Sequence, residues 1–179
     1  MFHSGTPRTG DSVSVPEAMA WVYFCATTYA PEDFVPAVRG AAWPPPAPRP
    51  SEEWREWRNG VWAGLVADQH GRQRSRGMDP DDFDSLAVWP ELQQTCRVRW
   101  PGFVRWWRTA KPQLVETTTN PATAEAIRSA RPPDRQPLRI HVVALAAAQD
   151  LAGSGSDHLV SAGLIADPQA FRRWLAAQD

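Results

Sequence analysis

The sequence predicts a predominantly helical α+β protein: a Trp-rich helical core, then a small C-terminal β-hairpin followed by a helix, with an all-α fold as the alternative. Three observations lead there. Between residues 14 and 131 apolar side chains recur at three- and four-residue spacing behind recognisable helix caps, and the period falls to two only after residue 137. Ten Trp also outnumber the six Phe and two Tyr together. With 179 residues, 42% of them hydrophobic, the chain can bury one core without a metal or disulfides. We expect a single globular domain over residues 14–179, a flexible tail over 1–13, and Pro-rich connectors at 43–50 and 132–137.

The first helix opens at Ser14-Val15-Pro16-Glu17, where Ser14 can cap and Glu17 can close a capping box, and it should run to about Ala30. Met19, Val22, Tyr23 and Ala26 share one face while Trp21 and Phe24 point to the other, so the helix is either central or meets a partner on its second side. A short helix over Pro31–Val38 follows. Ser51 caps the next one, with Glu52 and Glu53 at the positive end of the dipole and Trp54, Trp57, Val61, Trp62, Leu65 and Val66 in one stripe. Arg58 falls inside that stripe, four residues from both Trp54 and Trp62, placed to meet an anion or to run past the indoles to solvent. The segment His70 to Gly77 is basic and bounded by glycines, which reads as a loop.

Asp79-Pro80-Asp81-Asp82-Phe83-Asp84 crowds four carboxylates together but fails the calcium-loop pattern, since Asp84 stands where Gly is needed and Pro90 where Glu is needed. It reads as a helix start capped by Asp79, burying Leu86, Val88 and Trp89. Arg97 to Lys111 predicts a helix with Pro101 in its first turn. Its aromatics gather in an arc of about 160° and Arg105 and Arg108 lie opposite, as in a core helix with a solvated basic back. Gln113 to Thr119 leans towards strand through Val115 and three threonines, and Asn120-Pro121 opens a helix over 122–131. Leu138, Ile140 and Val142 then alternate with Arg139 and His141, a strand that His158 to Ile165 can meet antiparallel across the turn at Gly153–Asp157. Helices favoured by Ala144 to Ala148 are the rival reading. Asp167-Pro168 caps a last helix carrying Phe171, Trp174 and Leu175.

Nineteen basic against twenty acidic residues leave a formal charge of -1, so nucleic acid or an anionic membrane could be met only by a local patch. Among the basic residues only Lys111 is lysine, a bias towards the side chain that stacks on rings and forks onto carboxylate or phosphate. Walker-type, dinucleotide-binding, GxSxG, HExxH and CxxC patterns are all missing, and the four His stand singly. No cofactor and no metal is expected. Cys25 and Cys96, 71 residues apart, suggest a reducing cytoplasm, and the opening residues lack the apolar run of a secretion signal.

The role that follows is a small non-enzymatic cytoplasmic interaction or accessory protein acting through aromatic and Arg-rich helical surfaces, with Trp21, Phe24 and Arg58 as contact residues. Its counterpart would be a protein partner or a second copy, not a membrane. One alternative is nucleic-acid binding through Arg97, Arg99, Arg105, Arg108 and Lys111, aided by Arg72, Arg74 and Arg76. Stacking and phosphate contact require aromatics and arginines on one exposed face. The other is a cofactor-free or metal-assisted hydrolase whose cleft gathers at least two of Asp68, His70, His141 and His158.

Overall fold

A computed structural model describes residues 11–39, 43, 45–67, 76–130 and 136–178. The fold is predominantly helical α+β. Its elements are β1 (Ser12–Ser14), α1 (Glu17–Phe24), α2 (Glu52–Ala67), α3 (Pro90–Thr119), α4 (Pro121–Ala130), β2 (Arg139–Val143), β3 (Asp150–Ser154), β4 (Asp157–Ser161), α5 (Ala162–Ala166) and α6 (Pro168–Ala176), with 3-10 turns at Pro31–Asp33 and Pro80–Leu86. The strands form one mixed sheet in the order β1-β2-β4-β3.

α1 is the central helix, buried on every side from Met19 to Phe24. Trp21 meets Phe103 at 4.9 Å and Trp100 edge-on at 5.0 Å, and Phe24 meets Trp43, Trp106 and Phe103 at 5.1, 5.2 and 5.4 Å. These separations and tilts are those that the ring quadrupoles favour. α1 ends at Phe24, six residues before the expected Ala30. There the Arg99 guanidinium reaches in from α3 and donates to the carbonyls of Phe24 (2.7 Å) and Ala26 (3.0 Å), satisfying acceptors that another helical turn would have used.

The tryptophans are more than filler. Indole N–H groups of Trp21, Trp54, Trp57, Trp43 and Trp106 donate to the backbone carbonyls of Gly77, Val22, Arg76, Tyr29 and Pro36 at 2.6–2.8 Å. One side chain thus fills the core with its rings and ties a neighbouring segment down with its single donor. Gly77 itself takes φ +73°, and a Cβ there would lie 2.6 Å from Leu86 Cδ1, so this turn requires glycine.

Several expectations hold in detail. Ser51 Oγ caps α2 by accepting from Trp54 N, Asp79 accepts from Asp81 N, Asn120 from Ala122 N, and Asp167 from Gln169 N and Ala170 N. Others are corrected. The helix expected over 31–38 is only the turn Pro31–Asp33, because Phe34 is drawn into an isolated bridge with Leu145. Gln113 to Thr119 is the last part of α3 and not strand-like: Thr117 and Thr119 Oγ1 donate to the carbonyls four residues back, which accommodates β-branched residues within the helix. Pro101 lies within α3 and not at its start. Pro101 and Pro112 are both exposed on the outer side of α3, where a proline within a helix is most easily accommodated.

The C-terminal hairpin is present but its strands differ. β3 and β4 pair antiparallel around Gly155 (φ +59°), while β2 and β4, expected to be the antiparallel pair, run parallel. His158 to Ile165 is divided into β4 and α5, with Ser161 Oγ capping α5 through Leu164 N. At the front of the chain, Ser12 and Val13 belong to β1 and not to the tail, in parallel register with Arg139 and Ile140.

Candidate functional site

The residues singled out in the sequence fall into three environments. Trp21 and Phe24, each 1% exposed, are at the centre of the core, so the second face of α1 meets α3 and cannot anchor a partner. Arg58 is half-buried, its guanidinium 5.6 Å from the Trp54 ring and its Nε and one terminal nitrogen on Asn59 Oδ1. That places it along the indole, with two donors committed to its own helix.

The five basic residues of α3 do not form one surface. Arg99 is 7% exposed, bonded to backbone and stacked over Trp43 at 4.2 Å; burial lowers its pKa from the ordinary arginine value. Arg97 pairs with Asp84 at 2.7 Å, and Lys111 with Glu17 at 3.9 Å. Arg105 and Arg108 remain exposed, with no ionic partner among the described residues. Arg76 is exposed; Asp68, His70, Arg72 and Arg74 lie outside the described residues. His141 and His158 do not come together: His141 pairs in register with Leu159 and His158 with Ile140, so their side chains leave opposite faces of the sheet.

Beside Arg105, α3 and the segment after Phe34 enclose an open groove of about 480 Å³, lined by Pro36, Ala37, Arg39, Gly102, Arg105, Trp106 and Thr109. Trp106 gives its indole N–H to Pro36 O at 2.6 Å, which closes the floor and leaves ring and proline surface towards the groove. Arg39 and Arg105 are exposed and supply the charge.

On the sheet a second polar arrangement spans three strands. Ser14 at the end of β1, His141 in β2 and Asp157 at the start of β4 share a face. Ser14 Oγ is 2.9 Å from His141 Nδ1, and His141 Nε2 is 3.0 Å from Asp157 Oδ1. Arg139 forks onto the same carboxylate, its Nε 2.8 Å from Oδ1 and its Nη2 on Oδ2. Burial alone would push the Asp157 carboxyl up; hydrogen bonds from Arg139 and then His141 outweigh it and hold the group below the ordinary carboxylate range. The indole of Trp62 stands edge-on to the His141 ring at 5.5 Å. Ser14 is exposed, His141 mostly covered and Asp157 buried. The expected capping role of Ser14 is therefore replaced: α1 has Pro16 at its N-cap with no side-chain cap, and the strand pairing directs the Ser14 hydroxyl to His141.

No motif could have revealed this chain, because Ser14 and His141 are 127 residues apart and only the parallel register of β1 and β2 joins them. The available signal was weaker, a polar residue at every second position of a β-branched strand. Among the described residues no group of three or more His, Cys, Asp or Glu is placed to hold a metal ion, and no helix is long and apolar enough to cross a membrane. Comparison with protein-family models, with characterised proteins and with solved structures finds no match for this chain.

Proposed function

We propose that the protein is a cytoplasmic binding module that takes an acidic segment of a protein partner into the groove between the Pro36–Arg39 segment and α3. The observation that carries this reading is the combination of two exposed guanidinium groups, Arg39 and Arg105, which have no ionic partner among the described residues, with an apolar floor of Pro36 and Trp106. Arginine offers a carboxylate two parallel donors, and an apolar floor beside it favours peptide side chains flanking that carboxylate. Cys25 and Cys96 are buried with their sulfurs 3.8 Å apart, and as a pair kept reduced they suit a reducing compartment. Nucleic acid is the weaker partner. Arg97, Arg99 and Lys111 are already engaged, and the arginines at and beside the groove (Arg39, Arg105, Arg108) would by themselves give a salt slope of only about −2 on a single strand.

Fluorescence anisotropy with a labelled deca-glutamate peptide and with a dT10 oligonucleotide tests the proposal. Saturable peptide binding should weaken at least tenfold, roughly 1.4 kcal/mol, in Arg39→Glu/Arg105→Glu. It should be little changed in Arg172→Glu/Arg173→Glu, which alters the net charge equally on exposed residues of α6. Equal weakening in both, or no peptide binding, overturns it. Tighter binding of dT10 than of peptide would transfer the groove to nucleic acid.

A further inference from the structure

We propose that Ser14 is an activated nucleophile, with His141 as its general base and Asp157 as the residue that positions the base, forming a site for acyl transfer from small apolar esters. The site is separate from the arginine groove. The argument is geometric. A serine hydroxyl is a weak nucleophile until a base accepts its proton within hydrogen-bond reach, and the base must itself be held in one tautomer by a third group. Here both distances fall in that range, 2.9 Å from Ser14 Oγ to His141 Nδ1 and 3.0 Å from His141 Nε2 to Asp157 Oδ1. With Asp157 ionised, Nε2 carries the hydrogen and Nδ1 is the acceptor facing Ser14. Arg139 forks onto both carboxylate oxygens, sharing Oδ1 with His141, and so fixes the orientation of Asp157 beside the imidazole. Exposure is graded as the chemistry needs: the hydroxyl meets solvent, the imidazole is 12% exposed and the carboxylate 4%. The Trp62 edge beside His141 supplies an apolar wall.

The step balances without a cofactor. Ser14 Oγ forms a bond to the ester carbonyl carbon and its proton passes to His141 Nδ1. The carbon–alkoxide bond then breaks, and the leaving alcohol takes that proton. Water adds to the acyl-serine with His141 again holding the proton, releasing the acid and restoring the hydroxyl.

The experiment is mass spectrometry of the full chain after exposure to a fluorophosphonate, which transfers its phosphonyl group to an activated serine with loss of fluoride. We expect one adduct on the peptide that contains Ser14, lost in Ser14→Ala and reduced at least tenfold in His141→Gln, with p-nitrophenyl acetate turnover falling in parallel. Circular dichroism and the thermal midpoint of each variant show whether it has folded. No adduct on the wild type, or an adduct elsewhere, overturns the proposal. So does labelling unchanged in folded His141→Gln. If the polar chain serves only to stitch β1, β2 and β4 together, the variants lower the midpoint while the wild type remains unlabelled.

Discussion

At Arg99 a charged side chain occupies a place that its sequence neighbourhood assigned to a ligand surface. Three features fix it there: the carbonyls of Phe24 and Ala26, the face of Trp43, and a position on α3 opposite Arg97 and Arg108. Removing it strands two buried acceptors and empties the space beside an indole, so Arg99→Ala should cost about 2–4 kcal/mol. Arg99→Lys should recover only part of this, because an ammonium cannot stack flat on Trp43 while donating to two separate carbonyls. Urea unfolding followed by tryptophan emission measures both, with Arg105→Ala as the comparison, expected within about 0.5 kcal/mol of wild type. Equal effects at positions 99 and 105 would mean that Arg99 is not the plug for the end of α1. The sequence could separate arginines from aromatics on a helical wheel, and for Arg105 and Arg108 that was sufficient. It could not place Arg99, because the carbonyls that hold it belong to a helix end whose early stop was itself invisible.

Among the elements, legibility followed the range of the interactions. Caps at Ser51, Asp79, Asn120 and Asp167 are local, each a side chain bonding a backbone group two or three residues on, and all were readable. α3 is legible as a helix over Arg97 to Lys111 but not at its two ends: Pro101 suits a first turn, and the run of β-branched residues at 117–119 favours strand when taken alone. Burial decided otherwise. Leu92, Cys96, Phe103, Trp106, Trp107, Ala110, Leu114 and Thr118 form a continuous buried stripe along 30 residues, and that stripe outweighs a local propensity deficit. Pro112 carries a residual cost: it donates nothing to Arg108 O, and it is exposed, so no packing contact depends on its ring. Pro112→Ala should therefore raise stability by about 1–2 kcal/mol, less than the roughly 3 kcal/mol of host helices because the unfolded chain gains freedom. Chemical denaturation at constant m-value checks it. A fall in stability would mean that the backbone geometry imposed by Pro112 is needed to lay Leu114 on the core.

At the scale of the whole molecule the decisive contacts are the longest in sequence. β1 and β2 pair across all of α1 to α4, so the helical core is enclosed within one crossover between adjacent parallel strands. Parallel pairing at such separation leaves no sequence signal beyond short β-branched runs, which is why the sequence alone predicts a local hairpin and a tail that includes Ser12 and Val13. The same connection has a thermodynamic consequence. Strand β2 packs on α1, and α3 packs on both β1 and α5, so neither sheet nor helices can be released without exposing apolar surface on the other. Unfolding should be a single transition. In urea, loss of tryptophan emission from the helical core and loss of hydrogen-exchange protection in a peptide spanning 139–143 should give the same free energy within about 0.5 kcal/mol. Earlier release of β2 while the tryptophans remain buried would instead divide the chain into two units, with the Ser14–His141–Asp157 chain at the boundary that opens first.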